Sequence, residues 1–236
     1  DFLYFRMCVF NVSGNDGNVN EFMNDPRIRR AITFAVDWKS IVESVYGERA
    51  ATTTTGLIAG DPLYIGDQYS YDPARAKALL EEAGYDFSHE FRLLYYYTDQ
   101  TTIDIIDTIV YYLGEVGVRA KPILSQNVVE DIYEIRDYDM VYCGLAAFSN
   151  LNWYSEYIDT DYLGRLISEA NTDFAEPMQK LTVAFDKDEA GAIYRELQAL
   201  EAEKCYKFPV CSMNYQYYFS SHVQVPEGIA FGNLTY

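Results

Sequence analysis

Residues 3–11 form an almost unbroken run of aromatic and aliphatic side chains, a strand pattern closed by the turn-rich Ser13-Gly14-Asn15-Asp16-Gly17. The apolar spacing then becomes helical. Ile28, Ala31, Ile32, Ala35 and Val36 share one face of a helix opened by Asp25-Pro26, an N-cap followed by a proline whose φ already suits the first turn. A second helical piece spans 38–46 and stops at Gly47, and residues 50–70 read as an extended surface crossing. Asp72-Pro73 repeats the capping device, with Ala76, Leu79, Leu80 and Ala83 as the buried stripe and Gly84 as the left-handed stop.

Residues 91–97 read as a strand, 100–116 as a helix with Ile103, Ile106, Ile109, Val110 and Leu113 inward, and 118–124 as the next strand. That β-α-β order predicts a right-handed crossover and parallel pairing. A short helix over 128–135, a strand over 139–145, a helix from the Asp186 capping box to about 204 and a strand over 208–219 follow. No internal repeat or low-complexity linker interrupts the chain, so one α/β unit with a mixed sheet flanked by helices is the simplest account.

At 236 residues and 49% hydrophobic, the chain can bury a core as one domain or one large lobe. A formal charge of −18 and a pI near 4.3 exclude a phosphate-binding face and hence nucleic acid as the partner. No run of eighteen apolar residues is present, and Asp1-Phe2-Leu3-Tyr4-Phe5 has neither the basic start nor the small-residue site of a signal peptide. Cys8, Cys143 and Cys211 fall in strand-like runs and read as small buried hydrophobes. Spacing leaves a Cys205–Cys211 or Cys8–Cys143 bridge open.

The two Asp-Pro helices are followed by Gly117-Val118-Arg119-Ala120, by Tyr138-Asp139-Met140 leading a strand to Gly144, and by a late helix running into Phe208-Pro209-Val210. In that order the segments resemble the later half of the peptide-type (family 5) solute-binding proteins of ABC importers. The resemblance implies a periplasmic-binding-protein-like (type II) α/β lobe over residues 1–236, with about 205–236 returning towards an absent first lobe. It also implies a small-molecule ligand (peptide or oligosaccharide), an ABC permease as partner, and an extracytoplasmic, lipid-anchored full-length protein whose export signal and anchor lie outside this chain. No cofactor and no catalytic step are implied.

In peptide-binding members, the resemblance places a tryptophan and an amine-binding aspartate after the Tyr-Asp-Met strand. Here Leu145 and Phe148 occupy those positions, and Tyr142 lies where some members carry an arginine. A phenylalanine cannot pair with a buried ammonium, which leaves Asp99, Glu156 or the missing lobe to supply a carboxylate. Phe148, Trp153, Tyr154 and Tyr157, with Asn150 and Asn152, form the best local candidate surface, because α/β sheets present ligands beyond strand ends and aromatic faces suit both sugars and peptide side chains. Tyr95, Tyr97 and Asp99 end another strand at the same edge. Strict alternation puts Tyr95 and Tyr97 on one face and Tyr96 on the other.

Other features carry less. Arg27, Arg29 and Arg30 are expected to pair with surface carboxylates, and Asp159, Asp161 and Asp173 lack the spacing of a calcium loop. His89 and His222 are too far apart in sequence to nominate a metal site, and no nucleophile elbow or phosphate loop is present. Two rival classes remain: the non-catalytic half of a secreted hydrolase, and a surface module that reads another protein through its tyrosines.

Overall fold

A computed structural model describes residues 3–15, 20–147, 149–158, 166–167, 173–214, 220–222 and 224. Six strands form one sheet: β1 (Leu3–Phe10), β2 (Ala50–Ala51), β3 (Glu90–Tyr95), β4 (Arg119–Leu124), β5 (Met140–Ala147) and β6 (Lys207–Met213), in the order β2-β6-β1-β5-β3-β4. β3 is parallel to both β4 and β5, as the crossover rule predicts. β1 runs antiparallel between β5 and β6, so the sheet is mixed. One edge therefore gathers the C-terminal ends of β3, β4, β5 and β6 with the N-terminal end of β1.

The helices are α1 (Pro26–Ala35), α2 (Trp38–Tyr46), α3 (Pro73–Glu82), α4 (Gln100–Glu115), α5 (Asn150–Ser155), α6 (Ala175–Val183) and α7 (Lys187–Lys204). Their starts follow from side-chain caps. Asp25 accepts from the Arg27 amide (2.8 Å), Asp72 from Arg75 (2.9 Å), Asp99 from Thr102 (3.0 Å), and Asp186 from Asp188 (2.9 Å). Gly84 takes the left-handed φ of 68° that ends α3. No described helix is long and apolar enough to cross a membrane.

Several expectations shift. β3 stops at Tyr95, the short helix near 130 is π-helical over Glu130–Ile135, and the strand at 208–219 is described only to Met213. Residues 207–213 lie inside the sheet, paired with β1. Pro209 sits where the β1–β6 register shifts and Pro122 in edge strand β4, both places where a missing ladder N–H is tolerated. In α4 the inward face is Thr102, Ile105, Ile106, Ile109 and Leu113, leaving Ile103 and Val110 half-buried. The four cysteines are buried and free.

The crossing at 50–70 is not a surface strap, because Thr53, Thr54, Thr55, Gly56 and Leu57 are all buried. Its anchor is Glu201 of α7, 2% exposed, whose carboxylate takes four donors. Oε1 accepts from Trp153 Nε1 (2.6 Å) and the Tyr157 hydroxyl (2.9 Å), and Oε2 accepts from the Tyr154 hydroxyl (3.0 Å) and the Gly56 amide (3.0 Å). Burial raises the Glu201 pKa, and the Gly56 N–H, Lys207, Trp153 and Tyr157 only partly reverse this. Lys207 is fully buried nearby. Its ammonium donates to the Trp153 carbonyl (2.6 Å) and to Glu156 (2.8 Å), over the Trp153 ring at 4.1 Å.

Arg29 is a second correction. It is buried rather than surface-paired, and it donates to the carbonyls of Lys204, Cys205 (3.1 Å) and Met23 (2.6 Å), closing the end of α7. Arg27 does make the expected exposed pair with Asp25. At the other edge of the sheet, buried Asp139 accepts from His89 (3.1 Å), the Arg92 amide (2.7 Å) and side chain (3.1 Å), and Asn20 (2.9 Å). Burial alone would raise its pKa, but these donors hold it down at about 2.

Glu201→Gln is expected to destabilise the fold by about 1–3 kcal/mol. The two N–H donors that cannot reverse, from Gly56 and Trp153, sit on different oxygens, so either amide orientation turns its NH2 towards one of them. Urea unfolding measures this, and an unchanged midpoint refutes it. For Asp139 the folded pKa lies below the unfolded value of 3.8, so its contribution is complete above pH 4 and is lost as pH falls towards 2. Unfolding between pH 5 and 2 should show a loss of about 2 kcal/mol that Asp139→Asn abolishes.

Candidate ligand-binding site

The edge where β3 and β5 end carries a cluster of tyrosines around one arginine. Tyr4 and Arg6 come from the first residues of β1, Tyr96 and Tyr97 from the turn after β3, and Gly144 from β5 directly across from Arg6. Arg6, Tyr96 and Tyr97 are half-buried. The Tyr97 hydroxyl bonds those of Tyr4 (3.2 Å) and Tyr96 (3.1 Å), and Arg6 Nη1 donates to the Tyr4 hydroxyl (3.3 Å). The Arg6 guanidinium lies 3.8 Å from the Tyr97 ring centroid and 5.3 Å from that of Tyr4. Such cation–π contacts contribute about 0.5–2 kcal/mol each, partly offsetting the desolvation of the charge.

The tyrosines close over Gly144 because nothing projects from it. A Cβ there would lie 2.6 Å from the Tyr97 hydroxyl and 2.7 Å from that of Tyr4, and the Gly144 amide donates to the Tyr96 hydroxyl (3.4 Å). Burial, then the Tyr4 and Tyr96 hydroxyls, raise the Tyr97 pKa, and Arg6 lowers it only in part. The Tyr97 hydroxyl is therefore a neutral donor and acceptor beside the cation. Among the described residues, no carboxylate forms an ion pair with Arg6. No group of three or more described His, Cys, Asp or Glu residues could hold a metal ion.

The residues nominated from sequence fall into four sets: rim, local structure, enclosed core, and outside the described residues. Tyr97 stands in the cluster, with Tyr95 half-buried at the end of β3 and Leu145 half-buried on β5. Strict alternation fails for Tyr96 and Tyr97, whose rings lie 4.3 Å apart, because the strand has already ended. Asp99 is at the same edge but caps α4, accepting also from the Thr102 hydroxyl (2.9 Å). Burial raises its pKa, and the Thr102 contacts bring it below the ordinary value.

Asn150 is tied to Asp61 (3.1 Å), and Asn152 accepts from the Ser149 amide (3.1 Å) at the start of α5, so both serve local structure. Trp153 and Tyr142 have no exposed surface. Trp153 packs on Phe5 with ring centroids 4.8 Å apart and bonds Glu201, while Tyr142 is enclosed beside Tyr46 and Arg6. Neither offers a face to a ligand, a correction to the expectation that each lines a cleft. Tyr154 and Tyr157 are core as well. Phe148, Asp159 and Asp161 lie outside the described residues, and Asp173 accepts from the Tyr206 hydroxyl (3.1 Å).

Sequence reasoning missed Tyr4, Arg6 and Tyr96. The available signal was Arg6 itself, the single charged residue in an otherwise apolar strand.

Gly144→Ala should act mainly on this cluster. The new methyl must displace two tyrosine hydroxyls, so stability is expected to fall by about 1–3 kcal/mol. Thermal unfolding tests this, and an unchanged midpoint refutes it.

Residues 2–171 match bacterial extracellular solute-binding proteins, family 5 Middle. The glutathione-binding protein GsiB of Salmonella typhimurium is 22% identical over 196 residues, which cover 74% of this chain and 37% of that protein. Among solved structures, the periplasmic binding protein DppA of Helicobacter pylori, in complex with peptide STSA, superposes with a TM-score of 0.74 at 17% identity, covering 89% of this chain and 42% of that one. The oligopeptide-binding protein of Thermotoga maritima bound to mannohexaose gives 0.74 at 16% identity, covering 90% and 44%. This chain thus spans less than half the length of each. These likenesses bear out the expected type II lobe with a mixed sheet flanked by helices. The chain belongs to family 5 of the bacterial extracellular solute-binding proteins, a family of binding proteins.

Proposed function

We propose that this chain is one lobe of the substrate-binding component of an ABC importer, and that the full-length protein captures oligopeptides or dipeptides outside the cytoplasmic membrane. The observation that carries the reading is the half-buried tyrosine–arginine cluster at the C-terminal ends of β3 and β5, the edge where an α/β sheet presents ligands. Family membership supports it, as does the relative solved with a peptide. The function is recognition without a covalent step: desolvation and hydrogen bonding hold the solute between two lobes that close around it, and the closed form delivers it to a permease. The second lobe and a lipid anchor belong to the full-length protein.

The tyrosine faces also suit sugar rings, and the Thermotoga maritima relative was solved with mannohexaose. An oligosaccharide ligand is therefore the second reading. Titrating the full-length protein with tripeptide pools and with mannohexaose, by calorimetry and small-angle scattering, separates the two. The expected result is micromolar or tighter binding of peptides with compaction of the particle. Binding of mannohexaose alone favours the second reading, and failure to bind either overturns solute capture.

A further inference from the structure

The rim holds a cation, Arg6, that no described carboxylate approaches to ion-pair distance, although the Asp99 carboxylate feels its charge from further away. The chain carries 36 acidic residues against 18 basic ones, yet none of the described carboxylates pairs with Arg6. Of the two acidic side chains nominated near this edge, Asp99 is engaged by Thr102, and Glu156 is tied to buried Lys207 at 2.8 Å. Arg6 Nε is buried with no hydrogen-bond partner, Nη1 makes one long bond of 3.3 Å to the Tyr4 hydroxyl, and the guanidinium also interacts with the Tyr46 hydroxyl. A guanidinium has five N–H donors in a planar fork, so part of this donor capacity is unspent, and its described partners are neutral hydroxyls.

Three local features hold the fork in place. The Tyr97 ring centroid lies 3.8 Å from the guanidinium carbon, a cation–π contact that uses none of its N–H donors. The β1–β6 register shifts between Arg6 and Met7, and irregularities of this kind re-aim side chains near functional sites. Across the ladder Arg6 meets Gly144, which has no side chain to cover it.

We propose that Arg6 is the anchor for a carboxylate of the bound solute, taken by the guanidinium fork between Tyr4 and Tyr97. The assignment deepens the peptide-capture reading above and rests on it. It makes the receptor selective for solutes with an acidic group over neutral ones, and it makes this lobe the one that reads the negative end of the ligand. The carboxylate could be a peptide C-terminus or an acidic side chain, since the fork reads both alike.

The test uses full-length protein and three tripeptide pools: free C-termini without acidic residues, amidated C-termini with Asp or Glu, and amidated C-termini without acidic residues. At least one of the two carboxylate-bearing pools should bind tenfold or more tighter than the neutral pool, and which one identifies the source. Arg6→Gln should bring all three within about twofold. Arg6→Lys keeps the charge without the flat fork, should fold normally by thermal unfolding, and should retain only a few-fold preference. Equal binding of the neutral pool by wild type, or a preference that survives either substitution unchanged, overturns the assignment while leaving peptide capture intact. Failure of all three pools to bind overturns the peptide reading and this assignment together.

Discussion

A buried carboxylate that needs four donors at once is the constraint around which this lobe is organised. Glu201 gathers Trp153 and Tyr154 from α5, Tyr157 just beyond it, and Gly56 from the long crossing, and it holds them against α7. An unpaired buried carboxylate is far costlier than any single contact here, so the four partners are ordered together or not at all. Gly56 must be glycine because a Cβ would lie 1.9 Å from the Trp153 ring. The influence reaches the rim through Trp153, which packs on Phe5, the residue between Tyr4 and Arg6. A polar centre deep in the fold is thus in packing contact with the strand that carries the rim arginine.

The parts of the fold that could be read in the sequence are those specified by neighbours a few residues apart. Asp25-Pro26 and Asp72-Pro73 cap their helices through bonds spanning two and three residues, and the helix between β3 and β4 dictates their parallel pairing. What escaped was set by distant partners. Aromatics after a strand end look alike whether they line a cleft or fill a core. Trp153 was decided by Glu201, 48 residues away, and Arg29 by carbonyls some 175 residues away. Tyr97 was read correctly as an edge residue, yet its pairing with Tyr96 required knowing that the strand stops at Tyr95. Arg6 was visible as a lone charge in an apolar strand, but only the third dimension shows that tyrosines surround it and that no described carboxylate forms an ion pair with it.

The two buried carboxylates differ in what surrounds them, and their titration follows. Asp139 meets a guanidinium, an imidazole, an amide side chain and a backbone N–H, and its pKa falls. Glu201 meets mostly neutral donors in a fully enclosed site, and its pKa rises. For Glu201 the sign reverses: a raised folded pKa favours the fold at low pH and loses that contribution as pH climbs through it. The two therefore act in opposite senses and in different ranges: Glu201 loses its contribution as pH climbs above the ordinary carboxylate range, and Asp139 loses its own only as pH falls below about 4. The edge that carries Asp139 and the interior that carries Glu201 do not depend on the rim's charge state.

That separation bears on how the rim can work. Tyr4, Tyr96 and Tyr97 satisfy one another's hydroxyls, so a ligand can enter without stripping the fold of a required bond. Glu156 could have neutralised a rim cation, but it is drawn to Lys207. With the nearby acids committed to structure, the guanidinium is screened by aromatic faces, which stabilise a cation without saturating its N–H donors. A carboxylate can saturate them, and a neutral hydroxyl makes a weaker bond to the same donors. In a chain of net charge −18, diffusive encounter with an anion is disfavoured overall. Selectivity for an acidic group must then come from short-range, desolvated contact at Arg6 and not from the long-range field.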